Sequence, residues 1–543
     1  MQIPATASHQ EGGIPYKWLV AIVVIFGIFM SILDSTIVNI AIPHLQSSFG
    51  ASLDSVQWTL TGYTLAQGVA TPLTGFLSDR LGLKRFYLLS LTGFTVGSAL
   101  CGLAWSLPVL IAFRILQGAT GAFLMPLSMT MLYREFPPQE RGTAMGFLGI
   151  PILLAPAFGP TLGGYIVTFA SWQLIFYINV PIGIVGLLLG AAVLREVSTD
   201  KRTSFDVPGF IFSASGLACL LYGLSDASND GWGSIKVISF LAAGTLLLII
   251  FIAIELSNAR QGKTLLLDIR VFGNRSFTTS SLASILVTFA LFGGLFLIPV
   301  YLQNLRGLSA YQAGLILLPQ AFASMVTMLL GGRLVDKFGV RAVVIPGLIL
   351  MAIAMWLLTG LSTDMPFFTL QLLLILRSLS LGLCMQPLNV SALAEIEPHR
   401  LPQATGVSTT LRFVASSLGV ALIATTVQNQ DKVHLAHLAE RVTADSPLGQ
   451  FIIHMQAALV AQGHTLNQAY ATALAMVDGM IQKQAYVLAI QDAFWLSLAL
   501  AILAIIAACF VGGSKRKAAP EQQHSQAESD EAAQAREEAM LAV

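Results

Sequence analysis

Fourteen stretches of this sequence are apolar for about the length of a bilayer crossing, and that repetition constrains the fold more than any single motif. A helix needs about 20 residues to span the hydrocarbon core. The runs centre near residues 18–42, 56–77, 86–105, 108–132, 143–168 and 174–194, then 207–224, 236–256, 277–303, 311–335, 342–360, 367–393, 405–427 and 488–511. Charged residues make up 10% of the 543-residue chain and apolar residues 55%, where a soluble domain carries about 25% charge. The reading is an all-α membrane protein with 14 transmembrane helices.

An even number of crossings leaves both termini on one side, and Lys and Arg choose the side. With both ends cytoplasmic, 21 of the 29 basic residues fall on inner segments, five in outer loops and three (Arg114, Arg377, Arg412) within helices. The polar start, Met1 to Tyr16, has no basic n-region or A-x-A site, so the first run reads as a retained helix. A net charge of +1 offers nucleic acid no global field. Cys101, Cys219, Cys384 and Cys509 lie in apolar stretches without metal-ligand spacing and read as small packing residues. No G-x-x-x-x-G-K-[ST] loop and no H-E-x-x-H helix occurs, so neither ATP-driven pumping by this chain nor a metal or other cofactor is expected.

The chain repeats itself. Gly75-Phe76-Leu77-Ser78-Asp79-Arg80-Leu81-Gly82-Leu83-Lys84-Arg85 follows the second run, and Gly332-Arg333-Leu334-Val335-Asp336-Lys337-Phe338-Gly339-Val340-Arg341 follows the tenth. Gly, Asp, a base, Gly and a second base recur in register, 257 residues apart. Arg114 in the fourth run is echoed by Arg377 in the twelfth. The architecture this implies is two six-helix bundles, residues 17–195 and 276–512, with two helices inserted at 205–256. Residues 1–16 and 513–543 become cytoplasmic ends, and 428–487 a long amphipathic outer loop. Paired bundles rocking about a midplane site are a transporter design.

Several segments together resemble the major facilitator superfamily, and within it the fourteen-helix drug:proton antiporter branch of the EmrB/QacA type. The Gly75 to Arg85 segment is similar to the signature loop after the superfamily's second helix, with Leu83 where a base often stands. The other segments are Leu33-Asp34-Ser35-Thr36-Ile37-Val38-Asn39-Ile40-Ala41-Ile42-Pro43, Arg114-Ile115-Leu116-Gln117-Gly118-Ala119-Thr120-Gly121 and Ala155-Pro156-Ala157-Phe158-Gly159-Pro160-Thr161-Leu162-Gly163-Gly164. Phe176 to Gly183 and Gly231-Trp232 support them. The resemblance covers about residues 16–512 and implies the major facilitator fold.

Asp34 is the sharpest candidate for chemistry, because a charge inside a span costs a few kcal/mol and marks a cavity or relay. At about 1.5 Å per residue it stands roughly 24 Å in from Trp18, and Arg114 lies at a similar depth in the fourth run. Two readings stand for the acid: a proton carrier, or a structural carboxylate satisfied by an arginine or by the hydroxyls of Ser35 and Thr36. The resemblance implies proton transfer near Arg114. It also implies that Gly75, Asp79, Arg80, Gly82, Lys84 and Arg85, with Asp336, Lys337 and Arg341, latch the bundles on the inner side. Pro156, Gly159, Pro160, Gly163 and Gly164 would form a tightly packed antiporter helix that restricts leak. Gln117, Arg377 and Arg412 are candidate cargo contacts; the two arginines could instead neutralise helix ends, and Gln117 could simply face lipid.

The function these features imply is export of small amphipathic compounds across the bacterial cytoplasmic (inner) membrane in exchange for protons, driven by the proton gradient. An exporter dedicated to one metabolite, lipid or siderophore would carry the same motifs. A non-transporting sensor would not need latch and antiporter helix together, and an intramembrane enzyme would need paired catalytic groups that the spans lack. The 428–487 loop would meet a periplasmic adaptor or cap the outer vestibule.

Overall fold

Two glycines set the geometry of the two repeat copies. Gly82 and Gly339 both sit at positive φ, 85° and 84°, a backbone shape that a Cβ disfavours. In the computed structural model, which describes residues 14–196, 205–263 and 265–511, each is the single residue between two helices. The chain ends at 1–13 and 512–543, and the inner-side bases Lys201 and Arg202, lie outside the described residues.

Regular structure among the described residues is entirely helical. α1 (Tyr16–Phe49) leads to α2 (Leu53–Ala70), and a 3₁₀ turn at Thr71–Leu73 passes directly into α3 (Thr74–Leu81). Next come α4 (Leu83–Gly102), α5 (Leu107–Gly121), α6 (Leu124–Glu135) and α7 (Arg141–Phe169). After them stand the short α8 (Leu174–Tyr177), α9 (Asn179–Val193), α10 (Val207–Asp230) and α11 (Ile235–Arg260). The rest of the chain forms α12 (Arg275–Val300), α13 (Ala310–Phe338), α14 (Val340–Leu358) and α15 (Phe367–Leu393). It ends with α16 (Leu401–Glu440), α17 (Pro447–Ala461) and α18 (Leu466–Phe510).

Eleven of the described helical stretches are long and apolar enough to cross a membrane. The runs near 56–77, 86–105 and 277–303 are helical (α2–α3, α4 and α12) but stand outside that group. α4 begins with Lys84 and Arg85, which dilute its apolar content.

Two expectations need correcting. The Gly75–Arg85 segment is not an open loop, because α3 runs to Leu81 and α4 starts at Leu83. Residues 428–487 are not a loop either. α16 and α18 continue well past their apolar runs, and α17 packs on the α18 extension over a small core of Ile452, Ala473, Val477 and Ile481, with Leu435 and Leu438 of α16 against it. Ser446 caps α17, and a Thr465/Gln468 capping box starts α18, so local side chains satisfy the free N–H groups at both starts.

α1 packs on α2, α6, α7 and α9, and α4 on α5 and α9. In the later part α12 packs on α15, α16 and α18, and α14 on α15 and α18. α10 and α11 pair with each other, and α10 also touches α2 and α16. The two sets meet mainly along α7 and α13, with α16 against α3 and α6. The α7–α13 seam is a backbone contact. A Cβ at Gly332 would lie 2.1 Å from the Gly142 carbonyl oxygen, and one at Gly146 would lie 2.6 Å from that of Met328. Small residues permit such approach where lipid supplies no hydrophobic drive between helices.

Gly332→Val tests this seam. Overpacking costs about 1–3 kcal/mol, so the purified variant is expected to melt several degrees below wild type, while Gly273→Val, with nothing near its missing Cβ, melts as wild type does.

Candidate functional site

Asp34 lies in the interior of α1, and its neighbours do not satisfy it. The Ser35 hydroxyl donates to the Ile32 carbonyl at 2.8 Å and the Thr36 hydroxyl to the Leu33 carbonyl at 2.9 Å, so both are spent on their own helix. Arg114 of α5 reaches across instead, and its Nη1 donates to Asp34 Oδ2. The other oxygen, Oδ1, accepts from Gln117 Nε2 and Asn179 Nδ2, each at 3.0 Å. A carboxylate that accepts three donors, one of them charged, is held firmly in place.

The arginine is equally constrained. Its Nε donates to the Thr59 carbonyl at 3.0 Å and its Nη1 to Gln117 Oε1 at 2.8 Å, and its plane lies 4.0 Å from the Tyr63 ring centroid. The ring face attracts the guanidinium. α5 comes this close to α2 because residue 118 is glycine: a Cβ there would stand 2.4 Å from the Tyr63 carbonyl oxygen. Asn179 also donates to Ser98 Oγ at 3.0 Å, and Ser98 to the Phe176 carbonyl at 2.8 Å. Asp34, Thr59, Ser98, Arg114, Gln117 and Asn179 have no exposed surface. Arg114 Nη2 and Asn179 Oδ1 remain without a hydrogen-bond partner.

This arrangement couples two events chemically. A proton on Asp34 removes the counter-charge of Arg114 and leaves a buried cation unpaired, which is costly. A protonated Asp34 would therefore leave Arg114 in need of water or another anion. Gln117, expected at the cargo, lies instead on the carboxylate. Asn179, Thr59, Ser98 and Tyr63 had no expected role, although a lone Asn opening the apolar stretch Asn179–Val193 was a signal for the first of them.

In the two repeat copies the acid and the bases do different work. Asp336 crosses to the earlier set of helices, where Oδ1 accepts from the Gly142 amide at 2.9 Å and Oδ2 from the Thr143 amide and hydroxyl at 3.0 and 2.9 Å. It thus caps the start of α7, where free N–H groups and the helix dipole favour an anion. Asp79 crosses the other way and accepts from Gln403 Nε2 of α16 at 3.4 Å. Gly75 lets α3 and α16 touch, since its Cβ would meet Gln403 Cγ at 2.5 Å.

The bases stay within their own set. Lys84 Nζ donates to the Ala191 carbonyl at 2.9 Å, the Arg85 amide to Glu196 at 3.2 Å, and Arg341 Nε to the Val511 carbonyl. Arg80 lies 5.9 Å from the Phe76 ring and Lys337 5.3 Å from the Phe338 ring. Asp79 lies beyond the apolar run near 56–77, and partial burial pushes its carboxyl up to about 6, against the lowering effects of Gln403, Arg134 and His399.

α6 completes the closure at this end. The Thr130 and Thr405 hydroxyls lie 2.8 Å apart, Tyr133 donates to the Val390 carbonyl at 3.3 Å and Arg134 to the Pro398 carbonyl at 3.0 Å. Arg412 Nη1 donates to Asn389 Oδ1 at 3.0 Å, and its Nη2 lies 3.3 Å from Met129 Sδ of α6. Arg377 Nη2 donates to Gln320 Oε1 at 3.3 Å, inside the later set. On α7, Gly159 and Gly163 face Thr36 and Ile37 of α1, not the seam, while a Cβ on Gly164 would stand 3.7 Å from the Tyr311 amide of α13. Pro156 is half-buried, and the side chain of Pro160 lies outside those described.

Residues 24–420 match the model of the Major Facilitator Superfamily. The chain belongs to that superfamily. An uncharacterized MFS-type transporter, YhcA of Bacillus subtilis, is 34% identical over 511 residues, covering 93% of this chain and 94% of its own. The multidrug export protein EmrB of Haemophilus influenzae is 31% identical over 472 residues, covering 86% and 90%. The tetracenomycin C resistance and export protein of Streptomyces glaucescens is 33% identical over 411 residues, covering 76% and 74%. The solved proton:xylose symporter XylE superposes with a TM-score of 0.57 at 16% identity, over 92% of this chain and 97% of that one, and so shares the fold. This superfamily member is a membrane transporter whose relatives include multidrug and antibiotic exporters.

Two outcomes follow from the geometry. Asp34→Ala leaves Arg114 buried and unpaired, so a loss of about 3–5 kcal/mol is expected. Adding Arg114→Met is expected to return part of it, seen as a higher melting temperature in the double variant than in Asp34→Ala alone. At the latch, the raised Asp79 value favours its protonated form in the closed state. Closure is therefore expected to weaken as pH rises from about 4 through 6, read as the spin-label distance between α3 and α16, and Asp79→Asn is expected to remove that dependence.

Proposed function

We propose that this transporter is a proton-coupled antiporter that exports amphipathic compounds across the bacterial cytoplasmic membrane by alternating access. The observation that carries this reading is the buried cluster of Asp34, Arg114, Gln117 and Asn179, a protonatable group whose charge state is tied to the position of a neighbouring cation. The names of the EmrB and tetracenomycin relatives support export as the direction. In this reading fourteen helices cross the membrane, both termini are cytoplasmic, and the end closed by Asp79 and Asp336 faces the cytoplasm. Residues 17–195 and 276–512 are the rocking halves, with 205–256 between them.

The driving force is adequate. A membrane potential supplies about 2.3 kcal/mol per charge per 100 mV, and a pH unit about 1.4 kcal/mol. One proton then sustains a cargo gradient of roughly a few hundred-fold. Asp34 takes the proton from outside and releases it inside, and Arg114 shifts with each exchange.

A periplasmic adaptor is a further element of the proposal. The outer hairpin around α17 has its own small core, and Leu466, Tyr470 and Leu474 form one exposed apolar stripe at helical spacing along α18. Such a stripe on a solvated hairpin suits contact with a helical partner.

The test is ethidium efflux from vesicles under an imposed pH gradient. Wild type is expected to respond to the gradient and Asp34→Asn, correctly inserted, to lose that response. A variant that still couples places the proton site elsewhere, and a wild type that never moves ethidium favours one dedicated cargo.

A further inference from the structure

The three arginines within the spans are not treated alike. Arg114 is neutralised by Asp34. Arg377 is almost wholly buried and bound to Gln320 within the later set of helices, so it reads as a tie between α15 and α13. Arg412 differs from both: it stands at the boundary between the two halves, it is only partly buried, and no acid lies within electrostatic reach of it among the described residues.

We infer that Arg412, with Asn389 and the Thr409 hydroxyl, binds an acidic group on the cargo. This rests on the export reading above and names the class of compound that the site would take. α16 runs away from the latch, and at about 1.5 Å per residue Arg412 stands roughly 17 Å along it from Leu401. Thr405, Thr409 and Arg412 share one face of that helix, by their spacing of four and three residues. Thr405 meets Thr130 of α6, and Arg412 meets Met129 of the same helix, so this face turns towards the opposite half. Between them the Thr409 hydroxyl is buried without a hydrogen-bond partner.

What Arg412 touches now is weak. A thioether is a poor acceptor, and Asn389 divides itself between Arg412 and Gln386, to which its amide donates at 3.1 Å. A guanidinium fork suits the paired oxygens of a carboxylate or sulfonate, and the free hydroxyl adds one more donor. The charge that rewards an anion there penalises a cation. Asp79 meets Gln403, and Thr130 meets Thr405, nearer the start of α16, so an acidic cargo at Arg412 would rest just beyond these contacts.

The test uses two flat aromatic probes of opposite fixed charge, naphthalene-1-sulfonate and ethidium, in proteoliposomes of the full chain under a pH gradient. Arg412→Gln is expected to raise the sulfonate KM by about tenfold to a hundredfold, the loss of one charged hydrogen-bonding partner. Arg412→Lys is expected to recover most of it, and Thr409→Val to raise the KM severalfold. Ethidium transport is expected to stay level or improve in all three. Equal loss of both probes in Arg412→Gln makes the residue a gate element and overturns the inference. An unchanged sulfonate KM, or a wild type that moves only ethidium, overturns it while leaving export intact. A wild type that moves neither probe overturns the reading of broad amphipathic export and this inference with it.

Discussion

A charge in the membrane interior has to be matched, and the earlier half of this transporter is organised around one match. The pair formed by Asp34 and Arg114 draws in Gln117, Asn179, Ser98 and Thr59, so α1, α2, α4, α5 and α9 all supply atoms to one polar point. Each supplier closes off one remaining direction of hydrogen bonding. The cost of burying two ions is large unless geometry and extra hydrogen bonds offset it, so the cluster dictates how these helices sit. Gly118 and Gly97 follow from that demand, since both stand where α5 approaches a neighbour too closely for a Cβ.

The two repeat copies solve a different problem with one short motif. Their glycines, Gly82 and Gly339, share a backbone conformation that turns one helix sharply into the next. Their acids reach over to the opposite half and their bases hold the local helix ends together. The result is a joint in which stiffness belongs to the bases and reversibility to the acids. Asp336 has the better geometry, three donors at 3.0 Å or less, whereas Asp79 has one long bond to Gln403. The contact between the halves is therefore lopsided, and the α3–α16 side is the weaker seam.

Much of this was legible in the sequence because it depends on local periodicity or on exact repetition. The apolar runs became helices, and the recurrence of Gly, Asp and base located the joint. A charge in each of two runs at matching depth pointed to Asp34 and Arg114 before any contact was visible. What the sequence hid was partnership between distant segments. Asn179 is an ordinary polar residue until folding brings it to the Asp34 carboxylate, Thr59 contributes a backbone carbonyl that accepts from Arg114, and Gln117 read only as a candidate cargo contact. The hairpin around α17 was misread for another reason: its helices are amphipathic and short of a bilayer's length in apolar residues, so hydropathy alone could not separate helix from loop.

The fourth crossing joins the two problems. Its first part, α5, carries Arg114, and its second part, α6, carries Met129, Thr130, Tyr133 and Arg134, the residues that meet the opposite half. The two parts join at Ala122 and Phe123, directly after Gly121, where the backbone stays right-handed helical and the Ala122 amide donates to the Gly118 carbonyl at 3.0 Å. In the antiport reading a proton on Asp34 frees Arg114, and the same segment that feels the loss also bears the closure. The coupling then needs no long chain of contacts, because one helical stretch, Leu107–Glu135, holds the charge in its first part and the contacts with the opposite half in its second. In that reading a shift of Arg114 is carried along the stretch to the residues that meet the opposite half.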